Sequence, residues 1–154
     1  TPVRYFVSAL DRAESDALVD RILASWADRG YGLWAVERLA DRRFLGFTGL
    51  AWQDFPARHT PAVEVGWRLA PEAWGQGYAT EAARESLRFG LETLRLEEIL
   101  SWTTVANVAS RRVMEKAGLR LVRLYLASRR RDVRKTARRI RASYDSTGNL
   151  TSRD

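Results

Sequence analysis

The chain has 154 residues, of which 45% are hydrophobic, enough for one globular domain with its own core. It contains no cysteine and one histidine, which excludes disulfides, thiolate zinc sites and multi-histidine clusters, so we expect no metal. No apolar run approaches the ~18 residues of a membrane span and no signal peptide is visible, so we expect a cytoplasmic protein without membrane contact.

The net charge of +7 is concentrated at one end of the chain. Residues 129–154 contain nine Lys or Arg and three Asp, whereas residues 1–128 have a surplus of one positive charge. We therefore divide the chain into a folded domain, 1–128, and a basic tail, 129–154, expected to be helical or disordered because it has few large apolar residues. Nucleic-acid binding is not expected of the domain and would depend on the tail.

Hydrophobic periodicity and turn residues predict the elements in chain order. They are a helix at 13–28, a hairpin of strands at 31–38 and 44–52, a strand at 62–69, a helix at 77–94, a strand at 97–105, a helix at 107–116 and a strand at 119–127. Two of the helices link strands at crossover length. The predicted fold class is therefore α/β, with a mixed central sheet and helices packed on its faces.

Two glycines, Gly75 and Gly77, stand directly before the second predicted helix. Backbone N–H groups at a helix N-terminus attract anions, and glycine lets a phosphate come close to the main chain. Gln76 and Thr80 add polar groups to the same turn. The spacing lacks the third glycine of a dinucleotide-binding loop and the G-K-[ST] of a P-loop, so alone it favours a packing turn.

Three linked motifs carry more information than this turn alone. They are E-V-G-W at 64–67, W-G-x-G-Y-A-T-E-A at 74–82 and N-x-x-S-R-R-V-M-E-K-A-G-L at 107–119. With them, the chain resembles the RimJ/RimL-like branch of the GNAT acetyltransferase superfamily over residues 32–122. The resemblance implies a mostly antiparallel sheet in which acetyl-CoA lies between two splayed parallel strands. It also implies direct acetyl transfer to a primary amine, either a protein N-terminus or a small molecule.

The resemblance assigns residues to the cofactor and to the chemistry. Those expected at acetyl-CoA are Val65, Gly66, Trp67, Gly75, Gln76, Gly77, Tyr78, Ala79, Thr80, Asn107, Ser110 and Arg111, although Arg111 also suits a solvated helix face. Glu64 matches a family base, the alternative being a strand glutamate paired with Arg68. Ser110 matches a serine beside the CoA thiol and is a candidate proton donor, or else a first-turn serine with a local bond. Met114 occupies the slot of the usual tyrosine acid, so no tyrosine is assigned.

The acceptor side and the two ends of the chain are less defined. Trp34, Trp52 and Phe55 lie on or after the hairpin, which borders the acceptor cleft in this fold, and are candidates for the substrate pocket. The family's first and last strands have no clear counterpart, which leaves a monomer or a homodimer open, since an unpaired edge favours association. The rival functions are a non-catalytic acyl-CoA-binding domain, and a nucleic-acid or ribosome-associated protein that acts through its tail.

Overall fold

The structure is a computed structural model that describes residues 10–57, 59–127 and 135–142. Its helices are α1 (Arg12–Arg29), α2 (Tyr78–Arg88), which continues as one π-helical turn (Phe89–Thr93), and α3 (Val108–Lys116). Its strands are β1 (Leu33–Arg38), β2 (Arg43–Gln53), β3 (Ala62–Leu69), β4 (Ile99–Ser101), β5 (Arg120–Ala127) and β6 (Lys135–Ala142). Within the described ranges, no helix has the length and apolar character that a membrane crossing would need.

The first helix is defined by local signals at both ends. Asp11 and Glu14 form a capping box, in which each carboxylate accepts a hydrogen bond from the other's backbone N–H at 2.8 Å. Gly30, with φ 72°, ends the helix. Trp26 attaches the C-terminal part of α1 to β1. Its ring packs against Trp34 with ring centroids 5.0 Å apart, and its Nε1 donates a hydrogen bond to the Leu33 carbonyl. The rest of α1 therefore depends on this end for its position.

The six strands form one sheet in the order β1-β2-β3-β4-β6-β5. Every neighbouring pair is antiparallel except β3 and β4, which are parallel and are in register at one pair only, Glu64 and Leu100. Alternating residues of β2 and β3, such as Leu50 and Val65, are fully buried with Leu87 of α2. This core holds one edge of β3 against β2 and one face of β3 against α2. The other edge of β3 separates from β4 beyond Glu64.

The predicted fold class, a mixed and mostly antiparallel α/β sheet, is confirmed. The predicted strand at 97–105 is shorter than expected, since only Ile99–Ser101 pairs as β4. The expectation of a helical or disordered tail is wrong for β6, which pairs with both β4 and β5. A last strand is thus present, and it was missed because an arginine-rich segment lacks an apolar alternation. The predicted absence of a first strand concerns residues outside the described ranges.

Candidate active site

The turn after β3 leaves open space in front of the N-terminus of α2. Gly75 and Gly77 have φ values of 73° and 87°, and no atom lies within 4 Å of where a Cβ would stand on either residue. Gly77 is the N-cap, and no side chain of the described residues caps the first turn of α2 with a hydrogen bond. Free backbone N–H groups and the positive end of the helix dipole therefore face a space that an anion can enter.

The polar side chains of this turn hold the loop itself together. Trp74 donates from Nε1 to the carbonyl of Leu69 at 2.8 Å, and Gln76 donates from Nε2 to the carbonyl of Glu72 at 2.6 Å. One of the two N–H donors of the Gln76 amide is therefore used within the loop. The turn offers a ligand its backbone N–H groups, beside the second amide N–H of Gln76 and the hydroxyl of Thr80.

A cleft of about 960 Å³ opens where β3 and β4 separate. Its walls come from α1, the end of β2, β3, the segment after β4 and the start of α3. Six residues predicted for the site line it: Trp52, Glu64, Gly66, Trp67, Asn107 and Ser110. Because β4 ends at Ser101, the cleft-facing residues of β3 beyond Glu64 have no β4 partner, and the space between the strands stays open.

Glu64 is the titratable group with the strongest perturbation in this cleft. Its side chain is half-buried, and Gln53 donates from Nε2 to Glu64 Oε2 at 2.7 Å. Burial raises the pKa of Glu64 to about 7, and the hydrogen bond from Gln53 opposes part of that rise. The partner of this carboxylate is thus the Gln53 amide, not Arg68. A carboxylate with this pKa exchanges protons near neutral pH.

The start of α3 forms the wall opposite β3. Asn107 caps the helix by accepting a hydrogen bond at Oδ1 from the backbone N–H of Ser110 at 3.1 Å, as its sequence position predicts. Within the described residues the Ser110 hydroxyl makes no hydrogen bond, and it faces the cleft with the buried Met114. Arg111 donates to the Val105 carbonyl at 3.2 Å and braces the preceding loop outside the cleft.

Several residues predicted for the site do not line this cleft. Val65 is fully buried in the core, and neither the turn at 75–80 nor Arg111 lines the cleft. Trp34 packs edge-to-face on Trp26 and Phe89 instead of facing the cleft. Phe55, which is 43% exposed, contacts Trp102 with ring centroids 5.8 Å apart, so it supports the rim through a neighbour.

Other cleft residues were not predicted from the sequence. Gln53 stands diagonally across the β2–β3 pair from Glu64, and Trp102 and Thr104 follow the short β4. The hydroxyl oxygen of Thr104 is buried and has no hydrogen-bond partner within the described residues, so it is available to a ligand. The register of β2 and β3 would have identified Gln53. In this register Gln53 pairs with Ala62, and the next residue on the same face of β3 is Glu64.

Arginine side chains outnumber carboxylates in the described part of the cleft wall. Arg21 and Arg29 come from α1, and Arg68 comes from β3, whereas the acidic lining residues are Asp28 and Glu64. The guanidinium of Arg29 lies over the Trp52 ring at 4.7 Å, and that of Arg68 over Phe47 at 5.7 Å. Partial burial lowers the pKa of Arg68. The cleft is therefore polar and positively charged as well as aromatic.

The fold thus combines a helix N-terminus that has open backbone donors with two parallel strands that separate from each other, and a carboxylate lies where these strands part. Residues 2–120 match the model of the acetyltransferase (GNAT) domain family, which spans more than half of the chain. The chain therefore belongs to the GNAT acetyltransferase family.

Individual relatives agree with this assignment. The FsC-acetyl coenzyme A-N(2)-transacetylase of Aspergillus fumigatus is 39% identical over 94 residues, a match that covers 58% of this chain and 39% of that protein. This chain spans about half the length, or less, of the curated relatives it matches.

Solved structures show the same architecture. An acetyltransferase from Agrobacterium tumefaciens str. C58 is 26% identical with a TM-score of 0.66, covering 86% of this chain and 73% of that one. A mutant of the spermidine N-acetyltransferase SpeG from Vibrio cholerae has a TM-score of 0.69 at 19% identity, covering 92% of this chain and 82% of that one. At that identity the second likeness supports the fold alone.

Proposed function

We propose that this protein is an N-acetyltransferase that moves the acetyl group of acetyl-CoA directly to a primary amine, on a peptide N-terminus or a small molecule. The observation that carries the proposal is the position of Glu64. It lies where β3 and β4 separate, inside the cleft, with its pKa raised to about 7 by burial. The RimJ/RimL-like branch is part of the proposal, and it is supported by the three sequence motifs, the first of which begins with Glu64.

The residues present fit acetyl-CoA, which supplies the acetyl group as a thioester. The turn at 75–80 has room for a diphosphate, because a Cβ on Gly75 or Gly77 would meet no atom. Gly66 lines the gap between β3 and β4 and presents bare backbone there, with open space where a Cβ would stand. The relative from Aspergillus fumigatus is itself named for acetyl-coenzyme A. We assign the turn to the diphosphate and the β3 backbone to the pantetheine.

Each proposed catalytic group then has one task. Glu64 takes a proton from the ammonium form of the acceptor, which frees the nitrogen lone pair to bond to the acetyl carbon as the carbon–sulfur bond breaks. The backbone N–H groups of β3 around Gly66 donate to the carbonyl oxygen on which negative charge grows. The Ser110 hydroxyl passes a proton to the departing sulfur and takes one from the solvent in exchange, so that the sulfur leaves as a thiol and the serine stays neutral. The cleft holds both reactants together, so no covalent bond to the protein is needed.

The test is acetyl-CoA consumption by the full chain against a panel of peptides, amino acids, polyamines and amino sugars. We expect turnover of at least one amine, and a kcat lower by roughly 10²- to 10⁴-fold in Glu64→Gln with the KM for acetyl-CoA near its original value. Glu92→Gln is the matched control, because Glu92 is exposed and pairs with Arg88 away from the cleft. Tight acetyl-CoA binding without turnover of any amine would favour a non-catalytic acyl-CoA-binding domain instead.

A further inference from the structure

Among the described residues, two arginines of α1 face the cleft without a protein anion to bind. Arg21 and Arg29 both line it, and neither forms an ion pair with the part of the chain that the structure describes. By contrast, Arg12 on the same helix is paired with Asp16 at 3.0 Å. Eight residues along a helix correspond to about two turns, or roughly 12 Å, so Arg21 and Arg29 lie on the same side of α1.

Arg29 lies at the same level along the strands as Glu64. Arg29 stacks on Trp52, which precedes Gln53 in β2, and Gln53 is bonded to Glu64. Since Trp52 and Gln53 point to opposite faces of β2, Arg29 and Glu64 line the cleft from different sides. The anion-accepting turn follows the opposite end of β3, and five residues of strand from Glu64 to Leu69 span roughly 17 Å. That turn shares none of the cleft lining. The diphosphate of the cosubstrate therefore does not explain Arg29.

The other charged residues of the cleft wall also favour an acceptor with an anionic group. Asp28 is the one carboxylate that α1 adds to the lining within the described ranges, and Arg68 adds a third guanidinium from the cleft floor. A polyamine carries only positive charges, and each of its further ammonium groups would meet more arginines than carboxylates here. An acceptor with an anionic group beside its amine matches this wall, because a guanidinium binds a carboxylate through two parallel hydrogen bonds.

We propose that the acceptor is an amine that also carries a carboxylate, as in an amino acid or a short peptide, and that Arg29, assisted by Arg21, binds the carboxylate while the amine faces Glu64. This rests on the acetyltransferase function proposed above. It names a substrate class that differs from the spermidine in the name of the Vibrio cholerae enzyme. The preference follows from the charge of the α1 wall, which a neutral or purely cationic acceptor leaves unused.

The test compares acceptors that differ only by the carboxylate. L-lysine is cadaverine with one carboxylate added, and L-ornithine stands in the same relation to putrescine. Lysine amide, in which an uncharged amide replaces the carboxylate of lysine, is the control. The dipeptides lysyl-glycine and glycyl-glycine, whose carboxylate lies one residue further from the amine, separate a peptide acceptor from a free amino acid. We expect the carboxylated member of each pair to have a KM lower by roughly 10- to 100-fold.

Variants connect this preference to the two arginines. Arg29→Gln, and more strongly Arg29→Gln with Arg21→Gln, should raise the KM for the carboxylated acceptor by about tenfold or more and leave cadaverine unaffected or improved. Arg12→Gln on the same helix is the matched control, since Arg12 is paired with Asp16 outside the cleft, and it should change neither. Equal or better use of cadaverine and lysine amide by the original protein would overturn the inference while leaving the transferase function intact.

Absence of turnover with every amine would count against the transferase function, and the inference is then decided by binding. L-lysine and cadaverine would be titrated calorimetrically into the full chain in the presence of saturating CoA. Carboxylate-dependent binding that Arg29→Gln abolishes and Arg12→Gln retains supports the assignment of the α1 wall. Equal binding of the two ligands, or binding of neither, overturns it.

Discussion

Gln53 donates a hydrogen bond from Nε2 to Oε2 of Glu64 at 2.7 Å, across two antiparallel strands. The bond follows from the register of β2 and β3: Gln53 pairs with Ala62 and Ala51 pairs with Glu64, so the two polar side chains are diagonal neighbours on one face. Burial favours the protonated carboxyl, whereas a donated hydrogen bond favours the carboxylate. The pKa of about 7 therefore results from two opposing effects, and the hydrogen bond from Gln53 keeps this pKa from rising further.

Gln53→Met should raise the pKa of Glu64, because the substitution keeps the length of the side chain and removes the donor. The acid limb of the kcat/KM profile should then move to higher pH by about one unit, while the rate at high pH stays close to the original. The measurement is a pH–rate profile at fixed acetyl-CoA. The same substitution in the Glu64→Gln background should not move the profile, and an unchanged acid limb in the single variant would contradict the assignment of Glu64 as base.

Glu64→Gln should stabilise the fold at alkaline pH even as it removes activity. The folded pKa of Glu64 is raised, so between the unfolded value near 4.5 and about 7 the folded state holds a proton that the unfolded state has released. The original protein therefore loses stability as pH rises through this window, by up to about 3 kcal/mol. Glutamine carries no charge and avoids this loss.

Chemical denaturation at pH 4 and pH 8 measures the effect. The difference between variant and original should be small at pH 4 and favour the variant at pH 8, where it reaches about 1 to 3 kcal/mol. A difference that is the same at both pH values would mean that Glu64 titrates normally. Glu92→Gln, at an exposed carboxylate, should show no such pH dependence.

Much of the fold followed from local patterns in the sequence. The order β1-β2-β3-α2-β4-α3-β5 was predicted because each element has its own periodicity and its own end signals, such as Gly30 after α1 and Asn107 before α3. The strand β6 could not be predicted in this way. Its sequence, KTARRIRA, shows no apolar face, and its position between β4 and β5 depends on the edges that those strands present.

The site was predictable in part for a related reason. Glu64, Gly66, Asn107 and Ser110 belong to contiguous motifs, and the structure places all four on one cleft. Arg29 lies outside these motifs. Its place in the cleft wall depends on how α1 packs, which is fixed through Trp26, and the sequence alone does not reveal this. The aromatic residues on and after the hairpin were predicted for the pocket as a group. The sequence alone does not show that one of them, Trp34, packs against Trp26 instead.

Gly77→Ala tests the backbone turn before α2 against a matched glycine. Gly77 and Gly30 have similar positive φ values, 87° and 72°, and a Cβ would meet no atom within 4 Å at either position. Both alanine variants should therefore lose about 1 kcal/mol of stability from the backbone conformation alone. Only Gly77→Ala should raise the KM for acetyl-CoA, by roughly tenfold, because its methyl group enters the space assigned to the diphosphate.

Thermal unfolding and acetyl-CoA saturation curves for the two variants decide this point. Gly30 ends α1 and does not line the cleft, so Gly30→Ala reports the cost of the conformation without a ligand contact. If both variants change the KM alike, the effect comes from stability, and the turn loses its assignment as the diphosphate site.

Gly66→Ala should separate folding from activity at the point where β3 leaves β4. Gly66 is not among the glycines with positive φ, and there is open space where its Cβ would stand, so alanine should leave stability unchanged or raise it by about 0.5 kcal/mol. Its partner across the strand pair, Gly49, is the contrast. A Cβ there would lie 2.2 Å from the carbonyl oxygen of Gly32, so Gly49→Ala should unfold or strongly destabilise the protein.

The methyl group of Gly66→Ala projects into the cleft, where the pantetheine and thioester are expected. We therefore expect kcat/KM for acetyl transfer to fall by roughly 10- to 100-fold, since displacement of the reacting groups by about 1 Å has an effect of this size. Denaturation and steady-state kinetics on the same preparation measure both quantities. A stable Gly66→Ala variant with full activity would show that the backbone of β3 at this position does not contact the cosubstrate.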